Sequence, residues 1–252
     1  MLKTCLLVII GFQLILLKVS AQEITYFHKI ENVLANDHSD SSIYKKIDSI
    51  KRTRRPHDSN LEIFFNRDVD FEYLHQRINV EFNGTFYQVN LLLKKDSVLY
   101  SSLVFDPTFL DNTTFKRYKT VIIDTVACTK YLKLRNDYYR SSKTINDLSS
   151  ELTLDEEYAF YCGDGDPKTI KGMYIENLAK RKRIGKLLGL IKSISCEEQA
   201  YGVAGFDMLQ KNNVMLSIPI KKLIAHIKKR NSDLVSCSGC IGHLIRKAYQ
   251  DK

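Results

Sequence analysis

Apolar and polar residues alternate strictly on both sides of Asn83-Gly84, and this alternation restricts the fold more than any other feature of the sequence. A period of two places alternate side chains on one face of a β-strand. Asn-Gly between two such runs predicts a hairpin, because both central residues of the turn must accept positive φ. The alternating apolar positions are Ile78, Val80, Phe82, Tyr87, Val89 and Leu91.

Further strands are predicted on both sides of this hairpin, over residues 61–150. Lys94-Lys95-Asp96 forms a second predicted turn, and Val98–Phe105 a third strand. Thr120–Ala127 is almost continuously apolar, as is typical of a buried strand. Residues 61–150 are therefore expected to form a β-rich block that is built as an antiparallel meander.

From Thr153 onward the apolar spacing becomes helical. Thr153 with Glu156, and Ser195 with Glu198, match the capping box, in which a hydroxyl accepts a hydrogen bond from an amide of the first helical turn. The second of these helices is expected to run to about Gln210.

Two more helices are predicted near the C-terminal end. Pro219 favours one of them, since proline is tolerated in a first turn, and the last helix is expected from about Gly242. Residues 151–252 thus form a predicted α-helical block. A β-meander block followed by a helical block defines the α+β class.

The first 21 residues have the three parts of a secretory signal peptide. Lys3 is the basic residue, Leu6–Leu17 is the apolar run, and Val19 and Ala21 have the spacing that signal peptidase accepts. The run is shorter than the roughly 20 residues that a membrane-spanning helix needs. Cleavage after Ala21 is expected, and it predicts an exported, soluble protein in the periplasm, at the cell surface or in the medium.

Residues 22–60 form a polar segment that is predicted to be partly helical or flexible. Ile43, Ile47 and Ile50 have the spacing of a short surface helix.

Charge and cysteine content restrict the partners and the compartment. Removal of Lys3 and Lys18 with the signal peptide lowers the net charge from +9 to +7. A basic exported protein favours an acidic surface or polymer as its partner, although solubility alone explains the same charge. Five of the six cysteines remain after cleavage, so an oxidising compartment leaves at least one thiol outside an intramolecular disulfide.

The Cys237-Ser238-Gly239-Cys240 motif is a candidate disulfide, redox or metal site. Two cysteines at this spacing share a disulfide, activate a thiolate or bind a metal. Cys237, Cys240 and His243 supply three of the four ligands that zinc needs, and Cys162 or Cys196 would have to supply the fourth. A structural disulfide or inert thiols are the favoured interpretation. No cofactor is predicted, and zinc is the alternative.

Residues 177–195 combine an apolar helical face with many basic side chains. A basic amphipathic helix of this kind lies on an anionic membrane or lines a nucleic-acid groove, but a core helix with solvated lysines has the same pattern. Aromatic residues that would stack on bases are missing, so nucleic acid is not the expected partner. The basic side chains are Lys180, Arg181, Lys182, Arg183 and Lys186.

Several carboxylates are candidates for catalysis. A carboxylate just after a buried strand is a common catalytic placement, and a pair about 5–10 Å apart suits glycoside hydrolysis. A glycine-flanked acidic loop is also expected simply to end a helix. These residues are Asp124, Asp164, Asp166, Glu156 and Glu157.

The sequence lacks a glycine-rich phosphate loop, a nucleophile elbow and a His-Glu-x-x-His motif. The expected function is therefore binding or structural interaction rather than catalysis. An exported hydrolase that uses a carboxylate pair is one alternative, and a thiol or metal protein that uses the C-terminal Cys-x-x-Cys motif is another.

Overall fold

The fold is described for most of the chain. The computed structural model describes residues 24–52, 59–82, 85–105, 118–165 and 167–249. The predicted signal peptide, the Asn83-Gly84 turn and Asp166 lie outside the described residues. The chain divides into two compact units, one of Met1–Phe64 with Gln76–Asp124 and one of Phe65–His75 with Thr125–Lys252.

An N-terminal antiparallel sheet followed by helices confirms the predicted α+β class. The helices are α1 (24–36), α2 (Asp40–Arg52), α3 (Thr125–Tyr139), α4 (Ile145–Leu152), α5 (Ile170–Lys180), α6 (Ile184–Ile191), α7 (Cys196–Lys211) and α8 (Ile218–Arg230). The strands are β1 (Ser59–Asp68), β2 (Tyr73–Phe82), β3 (Thr85–Lys94), β4 (Ser97–Phe105), β5 (Tyr118–Ile123), β6 (Asp233–Ser238) and β7 (Ile241–Lys247). No helix in the described part of the chain is long and apolar enough to cross a bilayer.

Strands β1 to β5 form a meander, since each strand lies beside its neighbour in the sequence. The β3–β4 turn falls at the predicted position, with Lys94 paired to Ser97 and a φ of 56° at Lys95. The predicted helix with Ile43 and Ile47 is α2, and both side chains are fully buried. The alternating apolar side chains of the strands and the buried isoleucines of α2 supply the core of the first unit.

The helical unit has a core shared by α5, α6, α7 and α8. Helix α7 passes very close to α6, because a Cβ atom at Gly202 would lie 2.8 Å from the backbone nitrogen of Ile191. At Gly205 an added Cβ would lie 2.4 Å from a methyl carbon of Leu187. Helix packing therefore requires glycine at Gly202, whereas a side chain at Gly205 would displace the end of the Leu187 side chain.

The start and end of α7 confirm the predicted helix, and α8 begins at the predicted proline. The Ser195 hydroxyl accepts a hydrogen bond from the backbone amide of Glu198 at 3.3 Å, and α7 ends at Lys211. Pro219 occupies the first turn of α8.

The predicted helix at Thr153 is wrong. Thr153 is instead the residue that ends α4, and its hydroxyl donates to the carbonyl of Ser149. The capping box of this region lies at Thr144 and Asp147. A Thr-x-x-Glu pattern specifies only local hydrogen bonds, and Thr153 forms its bonds with the preceding helix.

Two further elements differ from the sequence prediction. One strand ends earlier, and one expected helix is a strand. The strand expected over Thr120–Ala127 ends at Ile123, and α3 begins at Thr125. The helix expected from Gly242 is strand β7, which pairs with β6 as an antiparallel hairpin. The amide of Tyr158 donates to the carbonyl of Val235 at 2.8 Å, so a distant segment supports this hairpin.

Candidate functional site

The tip of the β6–β7 hairpin brings together residues from several of the predicted sites. Ser238 pairs with Ile241, so Gly239 and Cys240 form the two-residue tip. The amide of Gly163 donates to the carbonyl of Gly239 at 2.7 Å, which holds the loop after Glu157 against the tip. We call residues 237–243 of the hairpin, together with residues 157–165 and 167–168, the cysteine site.

A disulfide joins the two segments of the cysteine site. Cys237 is bonded to Cys162, with 5.6 Å between their Cα atoms, rather than to Cys240 as the motif suggested. Cys237 is 3% exposed and therefore turned inward, whereas Cys240 is exposed in the turn. The thiol of Cys240 contacts the carboxylate of Asp164.

Glu157 and His243 lie beside this disulfide. The Glu157 carboxylate accepts a hydrogen bond from the amide of His243 at 2.6 Å and lies 3.1 Å from its Nδ1 atom. The ligand atoms of Glu157, Cys162 and Cys237 lie within 4.8 Å of one another. Sulfurs bonded to each other are not metal ligands, so this cluster would need a reduced disulfide to bind zinc.

Glu156 takes part in a separate carboxylate pair. Its side chain lies 2.8 Å from the Lys171 ammonium group, which also contacts Glu198. Burial, followed by a hydrogen bond with Glu198, raises the pKa of Glu156 to about 7. The carboxylate that pairs with Glu156 is therefore that of Glu198. Glu157, its neighbour in the sequence, contacts His243 instead.

Asp124 and Asp164 occupy exposed positions in different units. Asp124 follows β5, donates its amide to the carbonyl of Leu99 and borders a cavity of about 450 Å³ with Asp37 and His38. Asp164 belongs to the cysteine site, while the neighbouring candidate Asp166 lies outside the described residues.

The basic run lies at a turn between two helices, not along one amphipathic helix. Helix α5 ends at Lys180, Arg181 follows it, and Lys182 has a φ of 51° before α6 begins at Ile184. Among the described residues, no carboxylate lies within 4 Å of any of the five cations, and all five are exposed. They are Lys180, Arg181, Lys182, Arg183 and Lys186.

Apolar side chains of α5 are exposed on the helix face that leads to Arg181. Ile170 is 85% exposed, Met173 is 47% exposed and Tyr174 is 45% exposed. Positions 170, 173, 174, 177 and 181 fall on one face, because three or four residues complete each helical turn. We call this face and the five cations the α5–α6 surface. The exposed apolar part was not predicted, because its residues have the helical spacing of a buried face.

Sequence reasoning also missed a buried charge network around Asp70. The Asp70 carboxylate accepts hydrogen bonds from Arg230, His226 and the hydroxyl of Tyr139, and it lies 3.3 Å from the Arg135 Nε atom. Burial raises the pKa of Asp70, but the His226 hydrogen bond and the two arginine charges outweigh it and lower the pKa. Asp70 lies in the turn between β1 and β2, which is distant from α8 in the sequence. The groups of this network therefore meet only in the tertiary structure.

The backbone at this turn is strained. Asp70, Phe71 and Glu72 have φ values of 101°, 57° and 66°, although none is glycine. Buried hydrogen bonds to Asp70 offset the cost of this conformation. No local sequence signal marks the turn, since glycine is absent from it.

No family model, curated protein or solved structure matches this chain. Function is therefore inferred from the geometry of the described residues.

Proposed function

We propose that the protein is exported and binds an anionic lipid surface through the α5–α6 surface. The observation that carries this proposal is the set of five exposed cations, none of which has a carboxylate within 4 Å among the described residues. Charges that no internal partner neutralises are available to an external one. Each lysine or arginine near an anionic membrane contributes roughly 1 kcal/mol to binding.

The apolar side chains on the same surface favour lipid over other anionic partners. Ile170 exposes 85% of its surface, which is costly unless a partner covers it. A membrane interface accepts apolar and basic groups side by side. An acidic polysaccharide would engage the cations but would gain nothing from Ile170 or Met173.

Export is supported by two independent features. The first 21 residues match a secretory signal. The Cys162–Cys237 disulfide is typical of proteins from oxidising compartments.

Vesicle binding tests the proposal directly. Co-sedimentation would compare vesicles containing phosphatidylglycerol with vesicles of phosphatidylcholine alone, and we expect binding only to the first. The variant Lys182→Gln/Arg183→Gln should bind about 30-fold more weakly, since two cations of roughly 1 kcal/mol each are lost. Lys221→Gln/Lys222→Gln is the matched control, because it removes the same charge from exposed positions of α8.

The control and a third variant distinguish the partner. Equal weakening by both double variants would show that net charge, not this surface, drives binding, and would overturn the proposal. The third variant, Ile170→Ser, should also weaken vesicle binding relative to the wild type. If the protein instead binds a sulfated polysaccharide and Ile170→Ser leaves that affinity unchanged, the partner is a polymer and the lipid proposal is wrong.

A further inference from the structure

We propose that Cys162, Cys237 and Cys240 form a thiol–disulfide exchange site that oxidises a dithiol in another protein. This activity is independent of lipid binding. The site contains a disulfide and a third thiol at its exposed edge, on two segments that hydrogen bonds hold together. A disulfide without a nearby thiol has no internal route for exchange.

The three cysteines differ in their access to solvent. Cys237 is 3% exposed, Cys162 is half-buried and Cys240 is exposed at the hairpin tip. An external thiol therefore reaches Cys240 more easily than either sulfur of the resting disulfide. Cys240 is the residue through which a partner protein would exchange electrons with the site.

Contacts at the tip hold Cys240 against the segment that carries Cys162. Its thiol contacts Asp164, two residues after Cys162, and the Gly163 amide donates to the carbonyl of Gly239. Gly239 has a φ of 58°, and no heavy atom lies within 4 Å of the position that a Cβ would take. The tip is therefore open to solvent at Gly239, next to Cys240.

The first step rearranges the disulfide within the protein. The Cys240 thiol gives its proton to water, and the thiolate attacks the Cys237 sulfur. The Cys237–Cys240 bond forms, the Cys162–Cys237 bond breaks, and Cys162 leaves as a thiolate that takes a proton from water. This step changes the position of the disulfide and needs no oxidant.

The next two steps transfer the disulfide to the partner. A partner thiolate attacks the exposed Cys240 sulfur, which forms a mixed disulfide and releases Cys237 as a thiolate. The second partner thiolate attacks its own sulfur in the mixed disulfide and releases Cys240. The partner dithiol is oxidised to a disulfide, and the Cys162–Cys237 disulfide is reduced to two thiols.

A single-turnover experiment tests this sequence. The oxidised full-length protein would be mixed without oxygen with an equimolar reduced peptide that contains Cys-x-x-Cys. Samples quenched by alkylation would be mapped by mass spectrometry. We expect one peptide disulfide per chain and a transient mixed disulfide at Cys240. Cys240→Ser should keep the Cys162–Cys237 disulfide and react at least about tenfold more slowly.

A second variant separates exchange from folding defects. Cys162→Ser leaves Cys237 and Cys240 as the pair, and we expect them to form a disulfide that still oxidises the peptide. Equal rates for the wild type and Cys240→Ser would overturn the proposal, as would a mixed disulfide at Cys162. Failure of Cys162→Ser to form a Cys237–Cys240 disulfide, with its melting curve intact, would also overturn it.

Discussion

The network around Asp70 and the α5–α6 surface use the same charged residue types in opposite ways. Arg135 and Arg230 are 0% and 6% exposed, and both contact the buried Asp70 carboxylate. Arg67 is paired with Glu197 in the same unit, and both are buried. The five cations of the α5–α6 surface are exposed, and none has a carboxylate within 4 Å among the described residues.

This contrast separates charges that maintain the fold from charges that are available to a partner. A buried cation without a partner costs several kcal/mol, so buried charges must be compensated inside the protein. An exposed cation is hydrated and needs no internal partner. Removing a charge from the network should therefore lower the stability of the fold. Removing a charge from the surface should weaken binding to a partner.

The largest effect is expected for Asp70→Asn. Asparagine tolerates the positive φ of this position, but it leaves Arg135 and Arg230 without a compensating charge. We expect a loss of about 3–5 kcal/mol in the free energy of unfolding, measured by denaturant titration. The control is Asp233→Asn, which removes a partly exposed pair with Lys247 and should cost about 1 kcal/mol or less. Similar losses of unfolding free energy in both variants would contradict the distinction between charges that maintain the fold and charges that are available to a partner.

An intermediate effect is expected at the carboxylate pair. Because the pKa of Glu156 is raised to about 7 in the folded protein, the folded state binds its proton more tightly than the unfolded state does. The wild type should therefore lose stability as the pH rises from about 4.5 to 7. Glu156→Gln removes this loss, so the variant should be more stable by about 1 kcal/mol above pH 7, after allowance for solvent screening.

Thermal unfolding at several pH values checks this prediction. The two proteins should have equal stability below pH 4, where the carboxyl group is neutral in both states. Glu176→Gln, which removes an exposed pair with Lys168, is the control and should not change the pH dependence. A wild type that gains stability between pH 4.5 and 7 relative to Glu156→Gln would show that the pKa is lowered.

The smallest effect on stability is expected at the α5–α6 surface. Lys182→Gln/Arg183→Gln should change the free energy of unfolding by less than about 0.5 kcal/mol, since both side chains are exposed and neither has a carboxylate within 4 Å among the described residues. Denaturant titration in the absence of lipid measures this change. A loss above about 1 kcal/mol would show that the fold uses these charges.

Local patterns predicted part of the regular structure. The β3–β4 turn, the start of α7 at Ser195 and the proline in α8 all lie where the sequence indicated. Thr153 has the same capping pattern as Ser195, but it ends a helix. The segment after Thr153 is extended instead, and Tyr158 forms a bridge with Ser236, which is 78 residues away.

The candidate site was predicted in part. Cys237, Cys240, His243, Glu157 and Asp164 were all identified, and the structure brings them to the cysteine site. Their partners were not predicted, because they come from different parts of the chain. The Asp70 network carried no local signal, since Asp70 is distant in sequence from the helix with Arg135 and Tyr139 and from the helix with His226 and Arg230.

The sequence alone determined the alternation of the strands, the helical periods and several helix ends, because these depend on neighbours within one or two turns. Only the tertiary structure decided that Cys237 bonds to Cys162, 75 residues away, and that Cys240 stays at the surface. The tertiary structure also decided which charged side chains are buried together and which remain exposed to a partner. Long-range packing sets these outcomes, since burial depends on which segments meet.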